Sequence, residues 1–169
     1  MNKKENKMRE IKIEKVVLGI GGTADYLEKG HKLLKILTGR NPAKRTSKKR
    51  IPTLGVRPGL EVGTVVTIRK GKEEILKKML IAVENTLRKS QISTNNFSFG
   101  ISEYIEIPGT EYNREIGIMG LDVTVVFKRT GRRVRLRKIK RGKIPQRQDI
   151  KPEEIIQFIE EKFQTKFTK

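Results

Sequence analysis

The chain has no cysteine, no tryptophan, one histidine and only nine aromatic residues, three Tyr and six Phe, in 169 positions. Without cysteine there is no disulfide framework and no thiolate metal site, and nothing points to an oxidising compartment, so an intracellular setting is expected. Long apolar runs are missing too: the longest is Met79 to Val83, and Met1 to Glu10 carries charges of both signs with no apolar stretch behind it. Neither a signal peptide nor a membrane span is therefore expected. Acids are scarce, with 19 Asp and Glu against 39 Lys and Arg, a formal net charge of +20. What is present suffices for a core, because Leu, Ile, Val and Phe number 49 of the 169 residues, above the roughly 20% below which a charged chain stays disordered. The length fits a single domain, residues 1–169, with appendages: an N-terminal tail over 1–10, an extended loop over 40–61 and a basic hairpin over 128–148.

The positive charge is concentrated. Arg40 to Arg50 holds six basic residues and Lys128 to Lys143 holds ten, neither window contains an acid, and these 27 residues carry +16 of the +20. A nearly neutral body with two cationic surfaces calls for a polyanion. A membrane surface fits poorly, since neither window has the large apolar face that inserts among headgroups. Neither window contains an aromatic residue, so base stacking, the device of single-strand binders, is not the main one. Phosphate tracking on structured RNA or duplex DNA is expected instead. Charge alone does not separate the two.

Along the chain, Ile11 to Ile20 reads as a β-branched strand ended by Gly19, Gly21 and Gly22. A helix follows, with Asp25 at its start, Leu27, Leu34 and Leu37 at helical spacing and Gly39 as its stop, although Gly30 interrupts it. Arg40 to Gly63, with Pro42, Pro52, Pro58, Gly55 and Gly59 among its cations, predicts a long binding loop. Val62 to Arg69 predicts a strand, and Ile75, Met79, Val83 and Leu87 predict one helix over Glu73 to Ser90. Phe97, Phe99 and Ile101, then Met119 to Phe127, alternate as half-buried antiparallel strands do. Arg133 to Arg137 alternates with Val134 and Leu136 and predicts a basic strand turning back through Thr130 and Gly131. Pro152, Glu153 and Glu154 open a last helix with Ile155, Ile159 and Phe163 on its buried stripe. The expected class is α+β: an antiparallel sheet with helices packed on one face.

Catalytic chemistry finds no candidates. Gly19, Gly21 and Ala24 match the G-x-G-x-x-A dinucleotide fingerprint, but no Asp or Glu occurs from Lys29 to Leu60 to hold a ribose, and the further βαβ repeats are missing. His31 stands alone, without the second histidine or cysteines of a metal site. No G-x-S-x-G or S-x-x-K pattern supplies a nucleophile. Glu103 and Glu106 flank Tyr104 and Ile105 in an apparent strand edge and read as solvated carboxylates. No cofactor, metal or enzymatic activity is expected.

Five ordered segments carry a resemblance: Val16 to Gly21, Thr38 to Pro42, Gly63 to Arg69, Asn96 to Gly100 and Gly117 to Asp122. Together they resemble universal large-subunit ribosomal protein five, in its archaeal form, from about Arg9 to Phe163. The resemblance implies a structural component of the large subunit that binds 5S rRNA and large-subunit rRNA in the central protuberance, beside other 5S-binding ribosomal proteins. It implies rRNA contacts by Val16, Leu18, Gly19, Gly21, Arg40, Asn41, Lys44, Arg45, Lys48, Lys49, Arg50, Thr67 and Arg69. The loop tip Thr53, Leu54, Gly55, Val56, Arg57, Pro58 and Gly59 corresponds to the part approaching the P-site tRNA, with Arg57 as its phosphate contact. Residues Ile107 to Gly117 correspond to the part facing a small-subunit head protein across an intersubunit bridge. Arg132, Arg133, Arg135, Arg137, Lys138, Lys140, Arg141 and Lys143 form an additional candidate surface for RNA or protein. Two positions depart from the family pattern: Gly19 stands where Asn is usual, which removes a local RNA contact, and Arg40 stands where Gln is usual, offering a phosphate fork instead of an amide. The other reading is a non-ribosomal basic module for structured RNA.

Overall fold

Alternation of apolar and polar side chains builds the sheet. In the computed structural model, which describes residue 6 and residues 8–168, Ile11–Gly21 (β1), Glu61–Ile68 (β3), Asn96–Ile101 (β6) and Leu121–Arg129 (β7) are strands whose apolar positions point to one face. Most of the expected N-terminal tail, residues 1–5 and 7, lies outside the described residues. Two short strands complete the sheet, Ala43–Thr46 (β2) and Ile92–Ser93 (β5), in the order β2-β3-β1-β7-β6-β5. Every neighbouring pair is antiparallel. A bulge between Ile13 and Lys15 adds one residue to β1, so that Ile13 and Val16 both face the core.

Helices cover one face only. Ala24–Thr38 (α1) buries Leu27, Leu33 and Leu34, and Lys72–Ile81 (α2) buries Leu76, Met79 and Leu80. Pro152–Phe163 (α4) buries Ile155 and Ile159. These meet Val16, Leu18, Val66, Val123, Val125 and Phe127 in one core. Phe97 stacks on Phe99 and on Phe127, each at 5.8 Å between ring centroids, and Phe158 of α4 meets Phe127 edge-on at 5.7 Å. Gly30, an apparent defect in α1, has a packing reason: a Cβ there would come within 3.0 Å of the Ile20 side chain, so its absence lets α1 lie close on β1. Gly39 closes α1 in the left-handed conformation, φ 62°, its N–H donating to the Lys35 carbonyl.

Four expectations are corrected. The helix predicted over Glu73 to Ser90 stops at Ile81: Glu84 and Asn85 take positive φ, and Thr86–Arg88 (β4) buries Leu87 while pairing in parallel with Lys166–Thr168 (β8). The predicted basic strand at Arg133 to Arg137 is one helical turn, Arg133–Leu136 (α3), because β7 is already paired on both sides, with β1 and with β6, and offers no edge to a returning strand. The hairpin expected over 128–148 is thus a turn-rich segment. The loop expected over 40–61 is an ordered arm: β2 pairs with β3, and Ser47 continues the ladder by donating to Leu60 and accepting from Gly59. Lastly, Glu103 and Glu106 flank a 3-10 turn, Tyr104–Glu106, not a strand edge.

Candidate nucleic-acid interface

The sheet face opposite the helices is uncovered, and strand register says what lies on it. One row runs Ala43, Val65, Gly19, Asp122, Gly100; the next runs Thr67, Val17, Thr124, Ser98; a third runs Lys15, Val126, Asn96. These residues are half-buried or exposed and mostly small. Gly19 and Gly100 flank Asp122 and leave, with Gly21, Tyr26 and Ser102, a shallow depression of about 460 Å³. Lys12 and Lys128 are paired across β1 and β7 on this same side at the Ile11 end. A flat face of glycines, short hydroxyls and peripheral lysines admits a bulky anionic helix where long side chains would hold it off. The largest aromatics are elsewhere: Phe97, Phe99, Phe127 and Tyr104 are buried, which leaves Tyr26 the only aromatic lining the depression.

The edge beside this face is cationic. Lys44 and Arg45 lie on β2 opposite Thr64 and Gly63, and Lys48, Lys49 and Arg50 continue outward, all exposed. Lys44 meets Glu61 at 2.8 Å, and this hydrogen bond and the carboxylate charge raise the lysine pKa above its ordinary value. Arg40 donates to the Lys70 carbonyl at 3.1 Å, which holds its guanidinium beside the end of β3, close to Arg69. Asn41 and Arg69 are exposed. The arm beyond Ser47 is closed at its tip by reciprocal bonds between Ile51 and Val56, around the buried Val56. Gly55 there sits at φ 63°, donating to Pro52. Thr53, Leu54, Arg57, Pro58 and Gly59 remain exposed, Leu54 at 71%.

The second basic segment is tied down by its own first cations. Arg129 ends β7 on the core side with its side chain 8% exposed, paired with Glu154 of α4 at 2.7 Å. Arg132 pairs with Glu14, the bulge residue of β1, at 2.7 Å and donates to the Phe127 carbonyl. The connection from β6 to β7 differs in charge: Glu103, Glu106, Glu111 and Glu115 stand there against Arg114 alone. It folds around buried Tyr104, Ile107, Ile116 and Met119, and exposes Tyr112 and Ile118.

Two predicted contacts are placed differently. Val16 and Leu18 are fully buried against the helices, so side-chain contacts from β1 fall to their neighbours Lys15, Val17, Gly19 and Gly21. Thr67 does lie on the open face, directly opposite Val17. Lys15, Val17, Ser98, Gly100, Asp122 and Thr124 were missed as site residues. Alternation marks them as facing away from the core, but only the strand order shows that they share one surface. The Gly19, Gly21, Ala24 fingerprint has no parallel βαβ unit around it, because β1 is antiparallel to both its neighbours. His31 is half-buried on α1, and among the described residues no group of three or more His, Cys, Asp or Glu is placed to hold a metal. No described helix is long and apolar enough to cross a membrane.

Residues 61–158 match the family model for the C-terminus of the ribosomal uL5 family. The large ribosomal subunit protein uL5 of Nanoarchaeum equitans is 44% identical over 161 residues, 93% of this chain and 95% of that protein. The chain belongs to the uL5 family of ribosomal proteins. The uL5 proteins of Sulfolobus acidocaldarius and Methanoregula boonei are 41% and 36% identical, over 95% and 92% of this chain and 93% and 97% of theirs. The family is one of large-ribosomal-subunit proteins and not of enzymes.

Proposed function

We propose that this chain, a large-subunit ribosomal protein, binds 5S rRNA across the open face of its sheet and along the cationic β2 edge. The observation that carries the reading is the open face itself: a helix-free surface of Gly19, Thr67, Ser98, Gly100 and Thr124, bordered by Lys44, Arg45, Lys15 and Lys128. Small residues set the closeness of approach, hydroxyls meet phosphates or 2′-OH groups, and the lysines and arginines neutralise the backbone. Arg40, held by Lys70, is oriented for a bidentate phosphate contact.

The projecting arm, with exposed Arg57 beyond its closed tip, reads as the part that reaches the P-site tRNA. The acidic connection after β6, with exposed Tyr112 and Ile118, suits a protein neighbour better than RNA, and reads as the side of an intersubunit bridge toward a protein of the small-subunit head. The reading is tested by competition binding at matched salt. 5S rRNA is expected to bind much more tightly than an unrelated folded RNA of equal length. Equal affinity and no local footprint would instead fit a generic basic RNA module.

A further inference from the structure

We propose that residues 128–143 form a second RNA-binding surface, which grips a separate stretch of phosphate backbone while the open face holds the first. The chain then ties two RNA segments together. This deepens the reading of the open face as the 5S rRNA site and rests on it.

Position separates the two surfaces. Arg45 lies level with Gly63 and Gly21, at one end of β1, whereas Arg129 lies level with Ile11 at the other. Eleven extended residues separate these ends, about 35 Å of strand. The arm beyond Ser47 and the segment beyond Arg129 therefore lead away from opposite ends of the sheet.

The segment is also built, not loose. Its entry is fixed by the Arg129–Glu154 and Arg132–Glu14 ion pairs, both at 2.7 Å. Inside it, Arg141 Nε donates to the Arg135 carbonyl and the Gly142 N–H donates to Val134. Its exit is held by Asn95, whose side chain accepts from the Ile150 N–H and donates to Asp149. On this frame Arg133, Arg135, Arg137, Lys138, Lys140 and Lys143 are exposed, with no acidic partner among the described residues. Arg133 and Arg137 also line, with Lys12 and Lys128, a concavity of about 600 Å³ at the foot of β7. Six unpaired cations on a fixed backbone repel one another until a polyanion neutralises them, and their ordering is already complete before it arrives. Closely spaced negative charges over such a length are what a nucleic-acid backbone presents.

The test uses the full chain saturated with 5S rRNA and a labelled RNA hairpin of unrelated sequence as the probe. The saturated complex is expected to capture the hairpin. Replacing Arg133, Arg135, Arg137, Lys138, Lys140 and Lys143 together by Gln is expected to weaken that capture about tenfold or more at ~0.1 M salt, and to change 5S affinity less than about threefold. None of these six side chains makes a hydrogen bond or ion pair among the described residues, so an unchanged melting temperature is expected and verifies folding. No capture by the unmodified complex, or equal capture by the substituted one, overturns the proposal and leaves a protein neighbour as the occupant. Equal weakening toward both RNAs overturns it in another way, by making residues 128–143 part of the first site. Absence of 5S preference in the unmodified chain counts against the open-face reading alone, because hairpin binding by the two chains still decides whether residues 128–143 hold RNA.

Discussion

Val17 sits at the centre of the open face, between Thr67 on β3 and Thr124 on β7, and its side chain is half-buried without being part of the core. A charge placed there tests whether phosphates lie over β1. A carboxylate about 5 Å from a phosphate costs on the order of 0.8 kcal/mol in water and about 3 kcal/mol at an effective dielectric of 20. Val17→Glu is therefore expected to weaken 5S rRNA binding by about 1–3 kcal/mol, or about 5- to 150-fold. Val17→Gln has nearly the same bulk as the Glu variant and no charge, so the difference between the two isolates the electrostatic part. Val17→Lys should bind at least as well as Val17→Gln. Affinities are read by filter binding near 0.1 M salt, with urea melts confirming that all three variants keep the stability of the parent to within about 1 kcal/mol. Equal affinities for the Glu and Gln variants would refute the reasoning, because no phosphate backbone could then cross the middle of the sheet.

Replacing Lys44, Arg45, Lys48 and Lys49 by Ala should flatten the slope of log affinity against log salt by about 3 units, at 0.7–0.9 per lost phosphate contact. The drop should be smaller if Lys44 stays with Glu61 in the complex, since they already meet at 2.8 Å. Glu154→Gln leaves the nearly buried Arg129 guanidinium without its carboxylate and should cost about 1–3 kcal/mol in a urea melt, whereas Arg129→Met removes the group that needs pairing and should cost less. A larger loss for Arg129→Met would contradict that ordering. Gly120→Ala should cost about 1–3 kcal/mol in the same melt, since its Cβ would lie 2.9 Å from the carbonyl oxygens of both Ile101 and Ser102, which are backbone and cannot swing aside.

Much of the architecture was legible because period and burial agree. Phe97, Phe99 and Ile101, and the odd positions Leu121 to Phe127, alternate in sequence and are buried in the structure, and Ile155 and Ile159 mark the core side of α4. The errors fell where a local pattern was overruled by something distant. Leu87 keeps the four-residue spacing of α2 but buries through a strand pairing with residues 166–168, which nothing near it announces. Arg133 to Arg137 alternates as a strand does, yet a strand needs a free edge and β7 has none. The site was legible as charge and only partly as surface. Cation clusters stand out in any reading of composition, whereas the open face is made of glycines, serines and threonines whose importance lies in what they leave uncovered. Val16 and Leu18 were named with Gly19 and Gly21 as one run, and the twofold period of a strand sends them to opposite sides.

The absence of cysteine permits the most direct test of the central claim, that RNA lies on the uncovered face of the sheet. Single cysteines at Ser98→Cys, on that face, and Glu161→Cys, exposed on α4 behind it, can each carry an iron chelate that releases hydroxyl radicals into bound 5S rRNA. Strong, localised strand scission from position 98 and little from position 161 is the predicted result. Scission from position 161 with none from position 98 would place the RNA against the helices and contradict the account.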